Sequence, residues 1–214
     1  GGETISEYKL ATTGQQVTAT ATINKKEVGL EWHVGDTIYD GVDNIPTFTF
    51  NGKAQKPSAI TTELITGDTC SVTVSGEQTN VGSSYTATAA SLSNANYRLP
   101  TANTIPFIIN PKTITKNDIT FGHSVGLEVG NYEYTGDVIT PEITVSTVLE
   151  GATAATNLVL NNDYVMSRDT TATSTGTHYI KFDGRGNYDG TVYLPWYIVA
   201  KTVTITAEAK TKVY

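Results

Sequence analysis

Hydrophobic residues in this chain fall at every second position far more often than at the three-to-four spacing of a helix. Val28, Leu30 and Trp32 alternate with Gly29, Glu31 and His33, and Val17 to Ile23 runs Val-Thr-Ala-Thr-Ala-Thr-Ile. Val192, Leu194, Trp196 and Ile198 alternate with Tyr193, Pro195, Tyr197 and Val199. Successive side chains of a strand point to opposite faces, so each stretch predicts a strand with one buried face. The clearest case is FTFNGKAQKP at Phe48 to Pro57, which the chain repeats as YEYTGDVITP at Tyr132 to Pro141. Both run aromatic, polar, aromatic, one residue, glycine, four residues, proline, and the glycine supplies the positive φ of a tight turn. Turn signals recur about every 8 to 12 residues, the rhythm of a sandwich or barrel of short strands.

The two copies sit inside a longer repeat. Gly52 and Gly136 are 84 residues apart, as are Pro57 and Pro141, while Gly82 and Gly176, and Tyr85 and Tyr179, are 94 apart. Tyr97 and Tyr188 are 91 apart, and Phe107 and Trp196, like Lys112 and Lys201, are 89 apart. Order is kept while spacing drifts, as insertions in surface loops would produce. The chain is therefore expected to divide into tail strands of an upstream module at 1–24, a first β module at 25–111, a second at 112–200, and the opening strand of a truncated third at 201–214. Units of this size set end to end predict an array, each burying its own core and touching chiefly its neighbours. Phe48, Phe50, Tyr132 and Tyr134 are expected to face that core, between sheets ~10 Å apart.

Composition narrows the function classes. Nineteen glycines and abundant threonine suit short strands and turns better than helices. A net charge of -7 leaves no basic stripe to release phosphate counterions, which argues against nucleic acid as a partner. The single Cys70 excludes an internal disulfide and, within TCSVTV, reads as a small buried residue. No apolar run approaches the ~20 residues of a membrane span, so no membrane insertion is expected.

Candidate chemistry is sparse. No G-x-S-x-G seeds a hydrolase, and His33, His123 and His178 lack zinc-ligand spacing, so no catalytic residue and no cofactor is expected. Asp183, Asn187 and Asp189 in DGRGNYDG alternate like calcium ligands. Arg185, however, sits at a ligand position and Leu194 where the twelfth-position acid belongs, so the segment reads as a turn. Asp36, Asp40 and Asp43 are close enough in sequence for a weak surface metal site. Tyr193 and Tyr197, four residues apart on the outer side of the last strand, carry amphipathic rings suited to stacking on sugars or packing against a neighbouring module.

The ordered series of aromatic-x-aromatic, NG, proline, GD before a strand, VGSSYTATA, NY and a closing strand into lysine resembles the bacterial Ig-like and MBG-type repeats of secreted or cell-wall-attached surface proteins. DGRGNYDGTVYLPWYIVAKTVTITA is similar to the G-x-GNY-x-GT ending of such repeats. The resemblance covers essentially the whole chain. It implies an all-β fold of two tandem Ig-like β-sandwich modules. The alternative is β-grasp-like or other small mixed-sheet modules, because the Ala- and Leu-rich insert VLEGATAATNLVLNND at 148–163 is compatible with a short helix. It further implies an extracellular, non-enzymatic stalk, spacer or adhesin segment that presents a distal binding domain, monomeric and partnered by neighbouring modules of the same protein. The competing reading is a module that itself binds a glycan or host surface protein through the aromatic strand face or the acidic loop at 36–45.

Overall fold

The computed structural model describes residues 23–212, and the fold is nearly all-β, with several sheets. The tail strands expected at 1–24 lie outside the described residues except for Ile23 and Asn24, which are exposed and outside any strand. The first half of the chain forms β1 (Lys26–Glu27), β2 (Gly29–Val34), β3 (Thr37–Tyr39), β4 (Thr47–Thr49), β5 (Ser58–Thr62), β6 (Val72–Ser75), β7 (Gly82–Leu92), β8 (Tyr97–Arg98) and β9 (Thr104–Asn110). These make an antiparallel sheet in the order β3-β2-β5 and a mixed sheet in the order β4-β9-β7-β6, in which β4 runs parallel to β9. The short β1 pairs in parallel with β8.

The second half forms β10 (Lys112–Thr113), β11 (Ile119–Phe121), β12 (Asn131–Glu133), β13 (Ile143–Val148), β14 (Ala155–Asn157), β15 (Tyr164–Arg168), β16 (Gly176–Gly184), β17 (Tyr188–Asp189) and β18 (Thr191–Val199). Its sheets are β11-β13-β14 and β12-β18-β16-β15, again with a parallel edge pair, β12 on β18, and a short parallel pair, β10 on β17. A single 3-10 turn at Lys116–Asp118 is the helical element among the described residues.

The repeat in the sequence is a repeat of hydrogen bonds. The Phe50 N–H donates to the Asn110 carbonyl at 2.8 Å, and the Tyr134 N–H donates to the Val199 carbonyl at 2.9 Å. Lys26 and Lys112 donate their N–H groups to the carbonyls of Asn96 and Asn187, both at 3.0 Å. The side chains repeat too: Phe48 meets Phe107 edge-to-face at 5.9 Å, and Tyr132 meets Trp196 edge-to-face at 5.8 Å. Alternation on the closing strands sends Ile105, Phe107 and Ile109, and likewise Trp196 and Ile198, fully inward. Burying each such side chain contributes roughly 1.5 to 3 kcal/mol, so these strands anchor the fold.

Several expectations are corrected. Tyr85 and Tyr179 are not equivalent. Between Gly82 and Tyr85 the β7–β9 register slips by one residue, a bulge that β16 lacks, so Tyr85 packs inward on Phe107 while Tyr179 points outward. His178 takes the inward place, with its ring 4.9 Å from that of Trp196. The insert at 148–163 holds no helix: Ala155–Asn157 folds back as β14 on Ser146–Val148. β11 holds in the second half the place that β2 holds in the first, pairing antiparallel with β13 as β2 pairs with β5. Residues 201–212 are exposed and form no strand, since an alternating segment needs a neighbouring backbone to pair with. Tyr134 is exposed rather than part of the core. The core is also not divided between units. One cluster of contacting buried residues runs from Trp32 and Phe50 through Ile114 to Trp196 and Ile198.

Candidate functional site: a junction and a tyrosine face

Only Pro111 separates β9 from β10. Its ring fixes φ and removes an N–H, which leaves the link little freedom. The decisive contacts are made by side chains on either side of it. Phe50, just past β4 and tied by its N–H to the end of β9, lays its ring edge-to-face on Tyr188, with centroids 5.5 Å apart and an interplanar angle of 76°. Both rings are buried, and burial raises the pKa of the Tyr188 hydroxyl.

A polar clamp stands beside this pair. Asn187 accepts the Val81 N–H at its Oδ1, at 2.9 Å, and donates from its Nδ2 to Asn80 Oδ1, at 3.0 Å. The Tyr85 hydroxyl steadies the 80–81 loop from below, within hydrogen-bond reach of the carbonyls of Asn80 (3.0 Å) and Val81 (3.3 Å). On the other flank Gly52, at φ 75°, faces Leu149. A Cβ at Gly52 would stand 2.9 Å from Leu149 Cδ1, so glycine lets the two loops touch. In sequence, Asn187 stands within the DGRGNYDG segment that reads as a turn. Its contact partners lie more than 100 residues away in sequence, so no local pattern signals the role.

The second feature is the outer face of the β12-β18-β16-β15 sheet. Tyr193 and Tyr197 both lie exposed there, on either side of Pro195. Tyr179, directly across from Pro195 on β16, adds a third exposed ring. Its outward place follows from the alternation with His178, Ile180 and Phe182 along β16. The Arg168 guanidinium lies 5.8 Å from the Tyr193 ring centroid. At the edge Lys181 pairs with Asp183 at 2.8 Å, and the Thr191 hydroxyl donates to Asp183 at 2.6 Å. The Lys181 and Thr191 hydrogen bonds lower the Asp183 pKa.

The acidic loop is arranged differently from a metal site. Asp40 Oδ1 accepts the N–H groups of Val42 and Asn44, at 2.8 and 2.9 Å, and these amides lower its pKa. Its carboxylate thereby shapes the loop between β3 and β4. Among the described residues no group of three or more His, Cys, Asp or Glu side chains is placed to hold a metal ion, so Asp36, Asp40 and Asp43 are not brought together as ligands. Cys70 is buried beside Val28 and Tyr97. Comparison with protein-family models, with curated proteins and with solved structures finds no match.

Proposed function

We propose that this chain is a non-enzymatic spacer or adhesin segment of a cell-surface or secreted protein, two Ig-like units in series that act by holding distance and orientation. The observation that carries this reading is the core that continues through the junction, with Phe50 on Tyr188 and Asn187 clamped to the 80–81 loop. A flexible string of binding modules has no need of such a joint, whereas a strut does. Each half has a three-stranded and a four-stranded sheet, the division of a constant-type Ig sandwich, which supports that class over a β-grasp unit, although each half has a parallel edge strand and a further short parallel pair. The extracellular setting rests on the resemblance in sequence.

Small-angle scattering tests the strut. A compact domain of this length has a radius of gyration near ~17 Å. The reading expects a clearly larger value, and a curve fitted by one rigid arrangement of the two halves. A compact particle would contradict it.

A second reading is favoured by the three exposed tyrosines around Pro195, a flat aromatic face suited to the apolar side of a sugar ring. Glycan-array binding lost in the Tyr179→Ser, Tyr193→Ser, Tyr197→Ser triple variant, with the fold intact, would support it. No binding by the original chain would remove it.

A further inference from the structure

The junction is made of two complementary surfaces, and the repeat gives each half a version of both. The surface that the first half presents consists of Phe50, Gly52, Asn80 and Val81. By the offsets of the repeat, the second half has Tyr134, Gly136, Ser174 and Thr175 in those places. The backbone agrees: Tyr134 hangs from the end of β18 by the same N–H bond that hangs Phe50 from the end of β9. The isolated bridge Gln55–Gln78, which leads to Asn80, is matched by Ile139–Ala172, which leads to Ser174.

The two surfaces differ in being covered. Phe50 is 8% exposed and Tyr134 is 39% exposed. A Cβ at Gly52 would press on Leu149, while one at Gly136 meets nothing within 4 Å. Ser174 and Thr175 are exposed. The chain leaves this end through Ala200 and Lys201 as it leaves the first half through Pro111 and Lys112, and KTVTIT at 201 echoes KTITK at 112. In the first half Ile65, which stands 84 residues before Leu149, is exposed, and so is Asn96, the counterpart of Asn187.

We infer that the Tyr134, Gly136 and Thr175 surface is a docking site for a further unit of the same kind, joined in sequence through Lys201. This inference rests on the spacer reading. The following unit places its counterpart of Tyr188 on the Tyr134 ring, its counterpart of Asn187 on the Thr175 N–H, and its counterpart of Leu149 over Gly136. Such a contact joins unlike surfaces head to tail, so it can repeat from each unit to the next.

The test uses the full chain and an extended chain in which residues 112–200 follow a second time after Ala200. Tyrosine nitration, mapped by mass spectrometry, reads the exposure of Tyr134, and hydrogen exchange reads the Thr175 amide. Docking predicts that both are slowed at least tenfold in the extended chain and that Tyr134→Ala in that chain restores fast exchange at Thr175. Unchanged rates at both sites, with the added unit folded as judged by its tryptophan fluorescence, overturn the inference. The Val81 amide is the separate control: if it exchanges freely in the original chain, the spacer reading itself fails. Should the added unit not fold, concentration-dependent self-association of the original chain by sedimentation takes its place. A dependence on Tyr134 supports docking, and none overturns it.

Discussion

The ring of Tyr188 stands edge-to-face on the ring of Phe50 at 5.5 Å, across the boundary that the sequence repeat draws between them. The repeat places the two in different units, and the contact makes their cores one. Offset and edge-to-face pairs add about 0.5 to 1.5 kcal/mol beyond the area they bury. The pair is therefore both a seam and a source of stability.

Phe50→Ala and Tyr134→Ala are a matched comparison, since both remove the second aromatic of the same motif. Truncating a buried Phe costs about 3 to 5 kcal/mol, and truncating an exposed ring about 0.5 kcal/mol. Urea unfolding of the original chain is expected to give a large loss for Phe50→Ala and almost none for Tyr134→Ala. Equal losses would mean that the seam adds nothing.

Asn187→Ala removes both clamp bonds and leaves the Val81 N–H without its acceptor. A net hydrogen bond contributes about 1 kcal/mol, and an unpaired partly buried donor costs about 1 to 3 kcal/mol. The expected loss is about 2 kcal/mol, together with faster hydrogen exchange at Val81. Exchange at Ala87 and Ala89, buried in the first half away from the junction's hydrogen bonds, should be unchanged.

Pro111→Gly separates the link from the seam. Glycine widens the unfolded ensemble and costs about 0.4 to 1 kcal/mol. If the side-chain contacts hold the joint, the two halves keep their mutual orientation in this variant. A joint that loosens here but survives Phe50→Ala would assign rigidity to proline instead.

Much of the fold was legible in the sequence because strand alternation is a local property. Phe107 and Trp196 lie inward and Tyr193 and Tyr197 outward as their positions require. The rest depended on information outside any one strand. A one-residue bulge in β7 turned Tyr85 inward and broke its equivalence with Tyr179. Phe50 and Tyr134 occupy the same motif position and differ only in whether a neighbour covers them. Asn187 reads as a turn residue and becomes a clamp through partners on the far side of the boundary. In the insert, the short Ala-Thr-Asn segment became a strand because the edge of β13 was open to it.

Alkaline pH probes the buried hydroxyls. Burial raises the pKa of Tyr132, Tyr164 and Tyr188. The folded state thus keeps protons that the unfolded state gives up. Their contribution is complete below the unfolded value of about 10 and is lost as pH rises through the raised values. The urea midpoint is expected to hold steady to about pH 9.5 and then fall. A midpoint that rises as the pH passes about 10 would contradict the sign.

The most direct test of the central claim is a set of amide residual dipolar couplings measured separately for residues 26–110 and 112–199. A rigid seam predicts that both sets fit one alignment tensor with the two halves oriented as described, and that Phe50→Ala splits it into two. Two different tensors in the original chain would show the halves moving independently, and the strut would be wrong.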